Sequence, residues 1–416
     1  MNFLRRLKQH FLVFFAVIGP GFITAVVDND AGGIFTYSQA GARWGYLPLW
    51  TLAPITILLI VTQEMCSRMG AVTEKGLSDL IREEFGLRIT FFMMLALVLA
   101  NLTNVMANFA GIASSLELFH VSRYISVPLG ALAVWLLIVK GTYASVEKVF
   151  LFACSLYICY IASGILVKPD WKEAAIYSVR PVLMVDTAYI TMLIGMVGTS
   201  VAPWMQFYLQ AAVVEKGVTA KEYAESRIEV IVGCIVMSVI AFFIIVACAG
   251  AIWSVKPQDI NNATDAALGL KPFGEWAYLL FCAGLLNASF FAACILPLST
   301  AYTVCEGLGF ESGVNRRFRE APIFYWLFTG LIVIGAGVVL LPKFPLVKMI
   351  LLSQVINGML LPFVLIFMVL LINKKRVMKE WTNSRIYNLV AWASVVIMIG
   401  LTAALVAITL RDLAGS

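Results

Sequence analysis

Runs of about twenty apolar residues recur along this chain, each separated from the next by a short polar gap, and that spacing leaves little choice of fold. A run of that length crosses a bilayer as a helix, because lipid offers the backbone no hydrogen-bond partners. Composition agrees: of 416 residues, 61% are hydrophobic and 13% charged, against about 45–50% and about 25% in a soluble domain. A secreted protein, a disordered chain and a cytosolic enzyme are excluded at this point. The net charge of +6 requires no nucleic-acid partner, because its distribution over the loops accounts for it.

Eleven spans are expected, at 11–39, 47–68, 90–119, 124–140, 145–167, 185–212, 226–254, 275–305, 322–341, 347–373 and 387–410. The apolar stretch after Met1–His10 imitates a signal peptide, but it runs on into Asp28 and Asp30 without a convincing cleavage site, so it counts as the first span. Residues 1–416 then form a single transmembrane domain. The segment Ala71–Gly86 reads as a short amphipathic helix on the inner face. With the N-terminus inside, the inner segments hold 20 of the 30 Lys and Arg residues and the outer segments 10. The clusters Arg5/Arg6/Lys8, Arg316/Arg317/Arg319 and Lys374/Lys375/Arg376/Lys379 all fall inside. The positive-inside rule therefore sets the N-terminus in the cytoplasm and the C-terminus outside a cell membrane. The short tails read as bacterial, so the Asn262-Ala263-Thr264 sequon is taken as a chance match. The eight cysteines lie in or at the edge of spans with no CxxC pair, and they read as packing residues.

Two spans carry interruptions. Span one has Gly19-Pro20-Gly21 and then Asp28-Asn29-Asp30-Ala31-Gly32-Gly33; span six has Gly195 and Gly198-Thr199-Ser200-Val201-Ala202-Pro203. Acids and glycines at that depth are costly in an unbroken helix facing lipid. Each interruption lies in the first helix of a five-helix block, one over about 11–167 and the other over about 185–373, with 387–410 as an extra helix. Five is odd, so the two blocks have opposite topology. Broken helices at corresponding places in inverted halves point to a substrate site at the midplane. Unwound carbonyls and carboxylates suit a cation there.

Asp30 sits in the break as a cation ligand or a proton carrier. Asp28 either raises the negative potential of the access path or is a polar vestibule residue. Asn101, Asn104 and Asn108 share one face of span three and line a path or hold helices together. In span ten, Gln354 either completes a coordination shell or makes a helix-to-helix hydrogen bond, with Asn357 beside it. Glu64, Glu117 and Glu306 lie near span ends, where interface solvation suffices. His10 and His120 are at opposite membrane edges, so no imidazole is available midway.

These residues resemble the NRAMP divalent-metal transporters over nearly the whole chain. Gly19-Pro20-Gly21-Phe22 through Gln39-Ala40-Gly41-Ala42 is similar to that family's first helix, with Asp30-Ala31-Gly32-Gly33 where it carries Asp-Pro-Gly-Asn. Ala202-Pro203-Trp204 stands where its sixth helix carries Met-Pro-His, and Gln63–Thr73 and Ser353–Phe363 are similar to further family segments. The resemblance implies an all-α, leucine-transporter-like 5+5 inverted repeat with broken helices 1 and 6, working by alternating access.

The departures from the family pattern bear on the substrate. The metal-binding asparagine becomes Gly33, the thioether ligand becomes Ala202, and the sixth-helix histidines become Trp204 and Leu209. The third-helix acids linked to proton movement align with Asn104 and Ala107. The resemblance then implies a site of oxygen ligands: the Asp30 carboxylate, carbonyls near Val27, Thr199 and Ala202, and an amide from Gln354. Gly33 widens that site, while Asp28, Asn104, Asn108 and Trp204 stand along the path or behind the ligands. Loss of sulfur disfavours softer metals, and a roomy site with one carboxylate fits a partly hydrated Mg²⁺. The pattern resembles the NRAMP-related magnesium transporters. Mg²⁺ is the expected cargo, with Mn²⁺ also accepted, no resident cofactor, no obligatory protein partner, and movement that is not proton-coupled. The alternative is a proton-coupled Mn²⁺/Fe²⁺ importer, for which Met205, three positions after Ala202, would supply a sulfur. An amino-acid transporter fits less well, since Asp30 opposes an anionic group. An intramembrane enzyme would need a metal-ligand cluster or a nucleophile–base pair that is not visible.

Overall fold

The computed structural model describes residues 19–184, 186–260, 263–342 and 346–414, and every regular element among them is helical. The start of the first expected span at 11–18, the Arg5/Arg6/Lys8 cluster, His10 and Asn262 lie outside the described residues. Among the described residues, 10 helices are long and apolar enough to span a membrane. The first expected span is a further crossing made of two half-helices, α1 (Pro20–Val27) and α2 (Ala31–Trp44). Helix α2 runs past the expected end at 39 to Trp44, where Gly45 at φ +62 stops it.

A 3₁₀ turn (Leu47–Thr51) leads into α3 (Leu52–Thr73), followed by α4 (Leu77–Phe85), α5 (Leu87–Glu117), α6 (Arg123–Lys140), α7 (Tyr143–Leu156) and α8 (Ile158–Leu166). The amphipathic segment expected within 71–86 is α4, which buries Leu77, Leu80 and Ile81. The fifth expected span is α7 and α8 together. It kinks at Tyr157, whose amide reaches back three residues to the Cys154 carbonyl at 3.3 Å.

The second half comprises α9 (Trp171–Val179), α10 (Thr187–Ser200), α11 (Pro203–Lys216), α12 (Tyr223–Cys248), α13 (Ala263–Leu270), α14 (Glu275–Leu308), α15 (Pro322–Val339) and α16 (Leu346–Ile372). A π turn (Ala249–Trp253) closes α12, and α17 (Lys375–Met378) and α18 (Arg385–Ala414) complete the chain. The hydropathy pattern does not reveal α9 and α13, which lie in loops and are 9 and 8 residues long.

Packing brings the interruptions together. Both halves of the first helix lie along α12; α10 lies along α16 and α11 along α3. Helix α5 runs beside α14 and also meets α16, while α2 touches α10 and α1 touches α11. Small residues permit these approaches. A Cβ on Gly233 of α12 would sit 2.7 Å from the Phe22 Cα, and one on Gly198 of α10 would sit 2.2 Å from the Gln354 carbonyl oxygen.

Candidate functional site

The first helix is interrupted at residues 28–30. Asp28 ends α1 with near-helical backbone, whereas Asp30 is extended (φ −77, ψ −175) and opens α2. Asp30 Oδ1 accepts the Gly33 amide at 2.8 Å, which makes it the N-cap of α2. Its Oδ2 accepts from Asn108 Nδ2 at 2.9 Å, and Asn108 Oδ1 accepts the Ala31 amide at 3.1 Å. The positive end of α2 stabilises the buried carboxylate there. Each carboxylate oxygen has two lone pairs, so these bonds leave capacity to bind a cation.

The sixth helix is interrupted at Val201–Ala202. Ala202 is extended and Pro203 begins α11, where its missing N–H costs nothing. The Ala202 carbonyl accepts from the Met205 amide at 3.1 Å and from Gln206 Nε2 at 3.4 Å.

Two glycines let the two breaks and α16 converge. A Cβ on Gly33 would lie 2.8 Å from the Asp28 carbonyl oxygen, 3.0 Å from Thr199 Oγ1 and 3.7 Å from Asp30 Oδ1. One on Gly32 would lie 2.0 Å from Gln354 Nε2 and 3.2 Å from Asp30 Oδ1. Asp30, Gly33, Thr199 and Gln354 are therefore neighbours in space. Gln354 Nε2 also donates to Asn104 Oδ1 at 3.2 Å, and Asn108 Nδ2 donates to the Asn104 carbonyl at 2.9 Å. The asparagine face of α5 thus holds both the break and α16, and Asn101 further along bonds Thr300 at 2.9 Å.

Two expectations need correction. Gly33 does not widen the site in this conformation; the space its side chain would have filled is occupied by Thr199 Oγ1 and the Asp28 carbonyl. Glu64 and Glu306 are not solvated at an interface: Glu306 is 8% exposed, and Glu64 is 2% exposed, accepts from Arg68 Nη2 at 3.1 Å and is bonded by the Tyr223 hydroxyl. The Trp204 carbonyl accepts from Ser299 Oγ at 3.1 Å and its ring lies 6.4 Å from that of Tyr208. Val27 is fully buried as the last residue of α1.

The two ends of the bundle differ in access. At the end bearing Arg43, a vestibule of about 200 Å³ lined by Thr36, Gln39, Arg43, Thr191 and Gln354 leads inward. Gln354 is its link to the break, since it also touches the Asp30 cluster. At the end bearing Glu215 a cavity of about 290 Å³ is lined by Glu74, Asp79, Glu215, Tyr302 and Glu306, whereas only about 10 Å³ lies among Ile23, Glu147, Tyr208 and Tyr302, at or below the space one water needs. Lys216 Nζ bonds Glu147 Oε1 at 2.8 Å there, and Glu229 Oε1 accepts the Gly21 amide at 3.4 Å.

Sequence reasoning missed two links. Tyr37 and Ser200 share a 2.6 Å hydrogen bond that ties α2 to the end of α10. Asp259 bonds both Gln39 and Arg43 at the vestibule mouth. The available signal was the placement of Tyr37 seven residues after Asp30, on the face of α2 that turns inward. Among the described residues, no group of three or more His, Cys, Asp or Glu has the arrangement to hold a metal ion. A cation at the break would therefore meet one or two carboxylates and neutral oxygens.

A family profile described as "Natural resistance-associated macrophage protein-like" (Nramp) matches residues 21–408. The "Divalent metal cation transporter MntH" of Granulibacter bethesdensis is 24% identical over 396 residues, covering 92% of this chain and 86% of the relative. The protein of the same name from Bacillus subtilis is 25% identical over 417 residues, covering 95% and 92%. Among solved structures, a manganese transporter from Eremococcus coleocola superposes with a TM-score of 0.72 at 20% identity, covering 94% of this chain and 86% of that one. A Na⁺-coupled sialic acid symporter superposes at 0.54 and 14% identity, covering 95% and 97%. At these identities the structural likeness is one of fold alone.

Proposed function

The chain belongs to the Nramp family, and we propose that it carries a divalent metal cation across a membrane by alternating access, with Mg²⁺ as the cargo. The observation that carries this reading is the set of groups around Gly32 and Gly33: the Asp30 carboxylate, the Asp28 carbonyl, Thr199 Oγ1 and the Gln354 amide, all neutral apart from Asp30. No thioether or imidazole joins that set, since Ala202 stands where the resemblance places the thioether and Trp204 and Leu209 where it places histidines. Hard oxygen donors suit Mg²⁺, which keeps several waters and is bound by one or two carboxylates. Asp30 anchors the ion, Thr199, Gln354 and the carbonyls of Val27 and Ala202 meet its hydration shell, and Asn104 and Asn108 hold the anchors in place.

Transport is downhill and uncoupled from protons, because Asn104 and Ala107 stand where the resemblance expects titratable acids. With the N-terminus cytoplasmic, the Arg43 vestibule faces outward and the tight layer at Ile23, Glu147 and Tyr208 lies on the cytoplasmic side. A second reading is proton-coupled Mn²⁺ import, favoured by the names of the relatives, which are divalent metal and manganese transporters.

One experiment separates the two. Purified protein in liposomes is given Mg²⁺ or Mn²⁺ with a pH dye inside. Mg²⁺ uptake without acidification is expected, and Asp30→Ala should abolish it. Acidification in step with metal uptake would overturn the uncoupled reading, and absence of Mg²⁺ flux would overturn the cargo.

A further inference from the structure

Arg43 poses a problem for the proposed path. It is the one charged side chain lining the vestibule among the described residues, so a guanidinium stands at the mouth through which a doubly charged cation would pass. An uncompensated positive charge there would lower the local cation concentration, because clefts focus the field of the charges that line them.

The compensation comes from the loop between α12 and α13. Arg43 Nη1 lies 2.8 Å from Asp259 Oδ1 and 3.1 Å from Oδ2. Gln39, one turn earlier on α2, donates to Asp259 Oδ1 at 2.5 Å and accepts the Ile260 amide through its own Oε1 at 2.9 Å. The Gln258 amide adds a bond to the Ala42 carbonyl at 3.2 Å. Residues 258–260 are thus bonded to three positions of α2, and the carboxylate is held on the guanidinium rather than free to wander as in an ordinary exposed pair.

We infer that Asp259 determines cation access: by neutralising Arg43 at the vestibule mouth it lets a divalent cation approach Gln354 and Asp30 without crossing a positive charge. This rests on the transport reading above, yet it concerns charge rather than metal identity, so it holds for Mg²⁺ and Mn²⁺ alike. The pair is partly solvated, with side-chain exposures of 40% for Arg43 and 58% for Asp259. Its influence is therefore sensitive to ionic strength.

The test is uptake kinetics of the full chain in liposomes at low ionic strength, with Mg²⁺ and separately with Mn²⁺. Asp259→Asn should raise KM about fivefold while kcat stays within about twofold, and the rise should shrink at about 0.3 M monovalent salt. Arg43→Gln combined with Asp259→Asn should return KM to near the native value. Gln39→Ala, which loosens the loop but keeps both charges, should raise KM less than Asp259→Asn does. An unchanged KM in Asp259→Asn overturns the inference, as does a double variant no better than the single one, or a Gln39→Ala variant that copies Asp259→Asn. Failure of the transport reading looks different: Asp30→Ala would then retain uptake, or native protein would carry neither ion.

Discussion

Asn108 grips the break of the first helix from both sides: its Nδ2 donates to Asp30 Oδ2 at 2.9 Å while its Oδ1 accepts the Ala31 amide at 3.1 Å. One side chain from α5 therefore satisfies the carboxylate and the first free amide of α2 together. Asn108→Ala leaves two buried polar groups without partners, which costs about 1–3 kcal/mol each. Stability in detergent should fall accordingly, and uptake should fall at least about tenfold because Asp30 loses its orientation. Asn108→Asp should be worse than Asn108→Ala for transport, since it sets a second carboxylate against Asp30. Thermal unfolding and liposome uptake of the two variants check the order.

Gly198 and Gly330 make opposite predictions for the same substitution. A Cβ on Gly198 would meet the Gln354 carbonyl at 2.2 Å and the Gly358 nitrogen at 2.5 Å, both backbone atoms that cannot turn aside. Gly198→Ala should therefore push α10 off α16, lowering stability by about 1–3 kcal/mol or more and displacing Thr199 from Asp30. Gly330 in α15 has nothing within 4 Å of the same position. Gly330→Ala should be neutral or stabilising, by up to about 1 kcal/mol from helix propensity. Melting curves of the two variants measure the contrast directly.

Glu84, at the end of α4 and outside the membrane spans, lies between Lys374 at 2.9 Å and Arg376 at 2.6 Å. Hydrogen bonds from Arg376 and then Lys374 hold its carboxyl below the ordinary value of 4.5. A depressed folded-state value stabilises the protein above the unfolded pKa, and that contribution is lost as pH falls through the folded one. Glu84→Gln should therefore lower Tm at neutral pH, and the gap from native protein should close once pH drops well below 4.5. A gap that persists unchanged in acid would refute the assignment.

Much of this architecture was legible because polar residues in an apolar run are locally conspicuous. Asp28–Gly33 and Gly198–Pro203 betray the two breaks without any long-range information. Gln354 and the asparagines of α5 were visible for the same reason, though their partners were not. Asp259 lies 216 residues from Arg43, in a loop that hydropathy cannot place, and the apolar run of the first span ends before Arg43. Gly33 shows a further limit. The sequence records a missing side chain, but whether the space opens or fills depends on Thr199, which another helix delivers.

The tight layer at Ile23, Glu147 and Tyr208 must open if ions are to leave by alternating access, and its contacts identify what has to break. Lys216 at the end of α11 bonds Glu147 of α7 at 2.8 Å, and both crowd Gly19, where a Cβ would lie 2.2 Å from Lys216 Nζ and 3.3 Å from Glu147 Oε1. Glu229 of α12 accepts the Gly21 amide in the first turn of α1. These charges therefore surround the start of α1, which Glu229 bonds directly. Lys216→Met removes the cation paired with Glu147 and standing beside Glu229 at Gly19, leaving two carboxylates that repel and favour a loosened α1. The variant should populate the state open at this end more than native protein does. A cysteine replacing Ile23, which lines the small space beside Glu147 and Tyr208, reports it through its rate of labelling by a water-soluble maleimide. The background carries Cys159→Ser, because the other native cysteines are buried. Labelling should accelerate several-fold in Lys216→Met, with Mg²⁺ uptake altered in kcat rather than KM. An unchanged labelling rate would mean that this cluster packs the end of the bundle without holding it shut.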